Sequence, residues 1–509
     1  MLLTSLGRFD KKPPFSQHGL SEFNRYLEIN GIQFTARWSK MKKRSFWSAF
    51  CVSVVVGAIV PCAFGQEHVV KQSKTATPGA TTVATTAEAA PQAARRNPLF
   101  FDFMASKGLK SRHSPVSASS SRNYVSIGRS AVEASAYGGG GDTGPTLPLW
   151  TFRVRSSRDG NKYSGAMVGT SPFQNPRETT VPTKVIPVII KTQNVVTAFD
   201  PTTGILTTIP GNTTFDPTQP DNGCLATPNN VPAQLLKQSP MFNKTKFVFG
   251  GTYVGTTEYS DAFQRANFWN ALGEDRDSYH VLLQPVQFLE PIVLEVPVVY
   301  GLAVNFGDLF GPSASCGPSG IVDINWFDTY LTGTVIPSLA NGPNDVDPTN
   351  LPIFMVYNVV WGSPANNLFT CCILGYHGTT GFPIPTQTYS PADFDTTQSF
   401  ANSSGSTAGF SDTAILSHEV DEWMNDPMIS NPTPPWGNTG QVVGCQANLE
   451  VGDPLTGTTL PPVTMPNGFT YHLQELAFFS WFFGAPSIGI HGWYSDNGTF
   501  TTDAGAPCY

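Results

Sequence analysis

The sequence predicts an α+β fold, and three stretches carry that expectation. Ser411–Pro427 reads as a single helix. Ser411 stands where a side-chain oxygen accepts from a free N–H of the first turn, and Asp412 suits the positive end of the dipole. Pro427 stops the helix, because the residue before a proline is pushed out of the α region. Leu416, Val420 and Trp423 recur at i, i+4 and i+7, a stripe that buries the helix against a core. Leu351–Trp361 is the most continuous apolar run beyond the leader and reads as one buried strand. Val185–Ile190 is β-branched and bounded by turn residues, which suits a strand with Pro187 at an edge position. The 47 Gly and 43 Pro favour short strands and many loops over long helices.

From the N-terminus, residues 1–40 precede an ordered set of export features. Met41-Lys42-Lys43-Arg44 is followed by the apolar run Phe46–Val60, then by Ala63 and Gly65, small residues before Gln66. That order is a secretory signal peptide over residues 41–65, and residues 1–40 read as a misassigned extension ahead of the true start at Met41. The apolar run is shorter than the about 20 residues a membrane span needs, so no stable membrane insertion of the mature chain is expected. Without residues 1–65, the 30 basic and 37 acidic residues fall by nine and three to 21 and 34, a formal charge of −13. Such a surface argues against nucleic acid and anionic membrane as partners. Cys224, Cys316, Cys371, Cys372, Cys445 and Cys508 remain, an even number, for which disulfides are the default in an exported protein. None has Cys-x-x-Cys spacing, and the adjacent Cys371 and Cys372 are expected to bond to separate partners.

Residues 66–145 are Ala/Thr-, Ser- and Gly-rich and read as a disordered linker or propeptide-like segment, because they bury too little apolar surface to offset their ordering entropy. Residues 146–509 form the globular domain. Within it we expect strands at Val281–Leu283, Ile292–Val296 and Val298–Leu302. Helices are expected at Asp261–Leu272, capped by Ser260, at Asp323–Leu331 and at Tyr471–Phe483.

The helix at Ser411–Pro427 also has a chemical face. His418 and Glu422, four apart, stack within reach of one ion, and Glu419 lies about 100° round the helix, placed to hold a water on that ion. This is the His-Glu-x-x-His arrangement with Glu422 in place of the second His. On these residues the chain resembles the zincin metalloproteases. More closely, it is similar to a group of secreted bacterial zincin-like proteins with a His-Glu-Val-x-Glu-Trp-Met-Asn-Asp-Pro helix; the resemblance covers residues 410–500. It implies a zincin-like fold, a twisted mixed sheet packed on helices with the metal-binding helix below the cleft. It also implies zinc as cofactor, Glu419 as general base, and a peptide or protein substrate paired along a sheet edge.

A catalytic zinc takes three protein ligands and keeps one position open. Asp426 stands eight residues beyond His418, about 12 Å along a straight helix, too far to share its ion. The paired carboxylates Glu450 and Asp453 are the remaining candidates. In Glu-zincins a later helical Glu is the third ligand and an Asp four residues on orients the first His. Here the two are three apart, and Gly452 and Pro454 favour a loop, so either Glu450 or, as in Asp-zincins, Asp453 completes the site. His377 reads as a hydrogen-bonded loop histidine, with a metal ligand or a substrate-facing residue at the cleft rim as the alternatives. Tyr471 and His472 read as core residues or oxyanion stabilisers.

These features together describe a secreted or periplasmic zinc peptidase of undetermined oligomeric state. Its main rival is a non-catalytic exported envelope or adhesion protein that keeps the fold and a structural metal. A carbohydrate-binding module, resting on 12% aromatic content, is a third reading. Expressed from Met41, the exported protein should begin at Gln66 on N-terminal sequencing; a chain still carrying Phe46–Val60 would establish a membrane anchor instead.

Overall fold

The computed structural model describes residues 95–100 and 146–503, apart from residues 226, 228, 312–313, 341–345, 382–385, 401–408 and 438–444. The leader, the extension before it, most of the expected linker and Cys508 lie outside the described residues.

Eleven strands form one mixed sheet. They are β1 (Arg95–Phe100), β2 (Thr183–Phe199), β3 (Leu206–Phe215), β4 (Val286–Phe288), β5 (Ile292–Glu295), β6 (Gly301–Val304), β7 (Ser319–Asp323), β8 (Leu351–Tyr357), β9 (Val359–Gly362), β10 (Cys371–Thr380) and β11 (Gln387–Phe394). Seven run in the order β10–β9–β7–β6–β2–β8–β11, and β11 pairs back onto β10, so the sheet closes into a barrel. This overturns the expected zincin-like α+β fold. Closure pairs each barrel strand on both sides and leaves the barrel no open edge of the kind expected to hold an extended peptide.

Two details of the sequence explain the difference. The run Leu351–Trp361 is not one strand but two, β8 and β9, separated at Asn358, whose φ is 53°. Asparagine tolerates this left-handed conformation, and its side chain locks it by accepting from Thr396 N at 2.7 Å and donating to Thr396 Oγ1 at 3.1 Å. The chain turns a corner there while staying buried throughout, so hydrophobic pattern alone cannot register the break. Pro187, expected at an edge, lies inside β2, the strand to which β3, β4, β5, β6 and β8 all pair. It falls where the parallel partner changes from β4, ending opposite Val185, to β5, starting opposite Val188, and a missing N–H costs no ladder bond there. Arg95–Phe100, inside the stretch expected to be unstructured, pairs antiparallel with β10 as β1.

Helix α1 (Tyr259–Asn267) packs against α3 (Ala414–Asn425), which lies on this sheet, as does α2 (Ile324–Tyr330). Asp323 caps α2 by accepting from Asn325 N and Trp326 N. α3 starts later than the sequence suggests. Thr413 occupies the cap position without a side-chain cap, and Asp412 at φ 42° accepts instead from His472 N at 2.9 Å. Every residue of α3 is buried. Its apolar stripe reaches the core as expected, with Trp423 donating from Nε1 to Thr388 Oγ1 of β11 at 3.0 Å. The helix expected at Tyr471–Phe483 is confined to Phe479–Phe483. Upstream, Gln474 N donates to Ser417 Oγ, Leu476 N to Asp496 Oδ1 and Ala477 N to the Val451 carbonyl, tertiary acceptors that replace the helical ladder.

Cys224 bonds to Cys316, and Cys371 bonds to Cys372 rather than to separate partners. The two adjacent cysteines open β10 and are fully buried, while Cys445, itself disulfide-bonded, belongs to a separate hairpin. Among the described residues no helix is long and apolar enough to cross a membrane.

Trp423 is the largest side chain that α3 sends into the core. Trp423→Ala should destabilise the fold by about 3–5 kcal/mol, the range for deleting a buried aromatic ring. A urea midpoint unchanged by the substitution would show that α3 is not held by this contact.

Candidate metal centre

Three pieces of chain meet on the face of β10 and β11 covered by α3. The helix supplies His418, Glu419 and Glu422. β10 supplies His377, whose neighbour Tyr376 points to the opposite face, as strand alternation requires. The third piece follows the hairpin of β12 (Pro432–Gly437) and β13 (Cys445–Asn448) and carries Glu450 and Asp453. All six side chains are fully buried.

Glycine lets the pieces come this close. A Cβ on Gly375 of β10 would lie 2.8 Å from Glu419 Cγ, and one on Gly452 would collide with the His418 ring. Gln474 then orients that ring. Its Nε2 donates to the Gly452 carbonyl at 2.7 Å, which leaves Oε1, 3.0 Å from His418 Nδ1, to accept the Nδ1–H. His418 Nε2 therefore faces the carboxylates, the usual support of a ligating histidine.

His418 Nε2 lies 3.1 Å from Glu422 Oε1 and 3.5 Å from Asp453 Oδ1. Ligand atoms of these three residues all fall within 4.8 Å of one another. Asp453 is held in place by its own N–H, which donates to Glu422 Oε1 at 3.2 Å, and by Gln446 Nε2, which donates to Oδ2 at 2.7 Å. Glu450 faces elsewhere, with Oε2 3.7 Å from His377 Nε2 and Oε1 accepting from Asn448 Nδ2. His377 Nδ1 lies 3.5 Å from Glu419 Oε2 and 3.6 Å from Glu422 Oε2. His377 is thus no rim or loop histidine. Tyr471 and His472 are engaged elsewhere: the phenol donates to the Leu235 carbonyl, and the imidazole pairs with Asp412 at 2.6 Å.

The electrostatics follow from burial. Burial pushes Glu422 up to about 7 against the pull of His418, and Asp426 up to about 7 against the backbone N–H groups of Ser430 and Asn431. Glu450 is held well above the carboxylate range by burial, then by the charges of Glu422, Asp426 and Asp453. Burial alone would depress His418, but Glu422, Asp453 and Glu419 together hold it well above its ordinary value. Burial and the His418 charge push His377 down to about 3; the Asp426 carbonyl opposes this weakly without forming an aligned hydrogen bond.

Buried polar atoms are normally hydrogen-bonded. Here His418 Nε2, Asp453 Oδ1, Glu450 Oε2 and both ring nitrogens of His377 have no aligned partner. Two imidazole nitrogens among carboxylate oxygens are a donor set that fits a divalent cation such as zinc. One signal for this lay unread in the sequence: no Lys or Arg occurs after Arg276. The half of the chain that builds the centre contributes no basic side chain beyond histidine to offset its acids. Comparison with protein-family models, curated proteins and solved structures finds no match to this chain.

Stripped of metal, the centre should destabilise the fold as pH rises. Folded Glu422 and Asp426 keep protons that the unfolded chain has released above about pH 4, so their contribution is full below that value and lost as pH rises through about 7. His418, raised as well, changes in the same direction. Chelator-treated protein should therefore show a higher urea midpoint at about pH 5 than at about pH 8, with Zn2+ recovering the loss at the higher pH. Equal midpoints without metal would remove this account.

Proposed function

We propose that this chain is an exported metal-dependent hydrolase with peptides as its first candidate substrate class, its ion held by His418 Nε2, Glu422 Oε1 and Asp453 Oδ1. The observation that carries the reading is the convergence of these three atoms, with His418 Nε2 and Asp453 Oδ1 buried and lacking aligned hydrogen bonds. Three protein ligands are the count of a catalytic rather than a closed structural site. Bound there, zinc would supply Lewis-acid polarisation of a substrate carbonyl and of water. Glu419 follows His418 in the helix, and its Oε2 lies 3.5 Å from His377 Nδ1 as Glu422 Oε2 lies 3.6 Å from it, which places a second carboxylate beside the ligand set. Its role is to accept the proton of the attacking water. Gln474 keeps His418 in the ligating tautomer. The disulfides agree with an oxidising compartment outside the cytosol.

A second reading, a non-catalytic protein with a structural metal, is favoured by one observation: every ligand and Glu419 are fully buried. Substrate would then have no path to the ion. Hydrolysis of an unfolded protein substrate separates the two. His418→Ala, Glu422→Ala and Asp453→Ala should each abolish zinc binding at this site. Glu419→Gln should keep this ion while lowering kcat by about 10²–10⁴-fold, as loss of a general base does. Metal-loaded wild type that cleaves nothing, yet melts higher than the chelated form, would establish the structural role.

A further inference from the structure

We propose that the centre holds two divalent transition-metal ions, the second bound by His377 Nδ1 and Glu419 Oε2, with Glu422 bridging it to the first. The inference rests on the first site in one respect, because Glu422 is common to both. Its two oxygens face different imidazoles: Oε1 lies 3.1 Å from His418 Nε2, and Oε2 lies 3.6 Å from His377 Nδ1. Ligand atoms of His377, Glu419 and Glu422 lie within 4.8 Å of one another, as those of His418, Glu422 and Asp453 do. A single carboxylate that presents one oxygen to each of two such sets is the bridge of two-metal hydrolases, whose ions stand about 3.5–4 Å apart.

His377 supplies the independent observation. It is fully buried in β10, and neither ring nitrogen has an aligned hydrogen bond. Its surroundings repeat those of His418 in mirror order. Around His418, Gln474 Oε1 takes the Nδ1–H and leaves Nε2 to the ligand set. Around His377, Glu450 Oε2 lies 3.7 Å from Nε2, placed to take that hydrogen as the ring settles on an ion at Nδ1. Each histidine thus has one nitrogen towards the shared Glu422 and an oxygen behind the other. This arrangement also gives Glu450 a purpose that a one-ion site does not: it orients the second histidine and is not the third ligand of the first.

With both sites filled, Glu419 ligates the second ion in place of the proton-accepting role it has in the one-ion site, and loss of activity in Glu419→Gln then follows from loss of that ion. The donor set at the second site, two carboxylates and one imidazole, suits Mn2+ as a probe as well as Zn2+.

The test uses chelator-treated full chain titrated with Mn2+, with bound metal counted by mass spectrometry and its spin state read by low-temperature electron paramagnetic resonance. We expect two Mn2+ per chain with an exchange-coupled spectrum. His377→Ala should retain one Mn2+ with the six-line spectrum of an isolated ion. Should that variant not fold, Glu450→Gln should lower the affinity of only one of the two ions, by about 10–100-fold. Wild type that binds a single, magnetically isolated Mn2+ overturns the second site and leaves the proposed hydrolase intact. Wild type that binds no Mn2+ or Zn2+ overturns both.

Discussion

Acidic side chains are buried together in the half of the chain that contains no Lys or Arg, and the rest of the structure is arranged around that constraint. A carboxylate removed from water must be hydrogen-bonded, protonated or compensated by a cation. At Glu475 and Asp496 the first solution is used. Glu475 accepts from Ser495 Oγ, Thr499 N and Thr499 Oγ1, and Asp496 accepts from Leu476 N and Tyr259 Oη. Around α3 it is used only in part. Asp453 and Glu450 each have one oxygen satisfied and one without an aligned partner, and the satisfied oxygens are those facing away from the histidines. The unsatisfied oxygens and ring nitrogens are therefore grouped on one side, which is the distribution a cation requires.

The barrel gives this group its rigidity. β10 is paired with β1, β9 and β11, so the position of His377 is set by backbone hydrogen bonds on both sides of the strand. α3 lies against β10 and β11 closely enough that Gly375 has no room for a side chain beside Glu419. The segment carrying Glu450 and Asp453 is tied down differently. Leu449 N donates to the Asn431 carbonyl and Ala477 N to the Val451 carbonyl, which fastens an irregular stretch between two others. Gln474 closes the arrangement by bonding at once to His418 and Gly452. A loop, a helix and a barrel strand are thus held in one geometry before any ion binds, and binding energy need not be spent on ordering them.

The same packing would couple metal binding to stability. Without metal, the surrounding acids raise His418 and burial raises Glu422, a compromise that keeps both protonated; a bound ion would displace those protons and let the acids ionise. The expected open cleft with a substrate-binding sheet edge is replaced by a closed barrel and a buried centre. Any catalytic role therefore requires that substrate reach an ion lying beneath α3, whereas a structural role requires nothing further.

Much of the site was legible in the sequence. A histidine and a glutamate four apart on one helix share a face in any fold, so His418 and Glu422 were determined locally, as was the apolar stripe that buries them. Proximity of the Glu450–Asp453 segment followed only from the resemblance. Which of its two acids faces which histidine was decided by a loop whose path depends on Gly452 and Gln474. His377 and the closure of the sheet were beyond local reading. Strand alternation says that His377 and Tyr376 face opposite ways but not which of them meets the helix, and a closed barrel differs from an open sheet only in whether its first and last strands pair. That pairing, β10 with β11 across the barrel, is a long-range choice made by the whole core, and it is what places His377 beside Glu419 and Glu422.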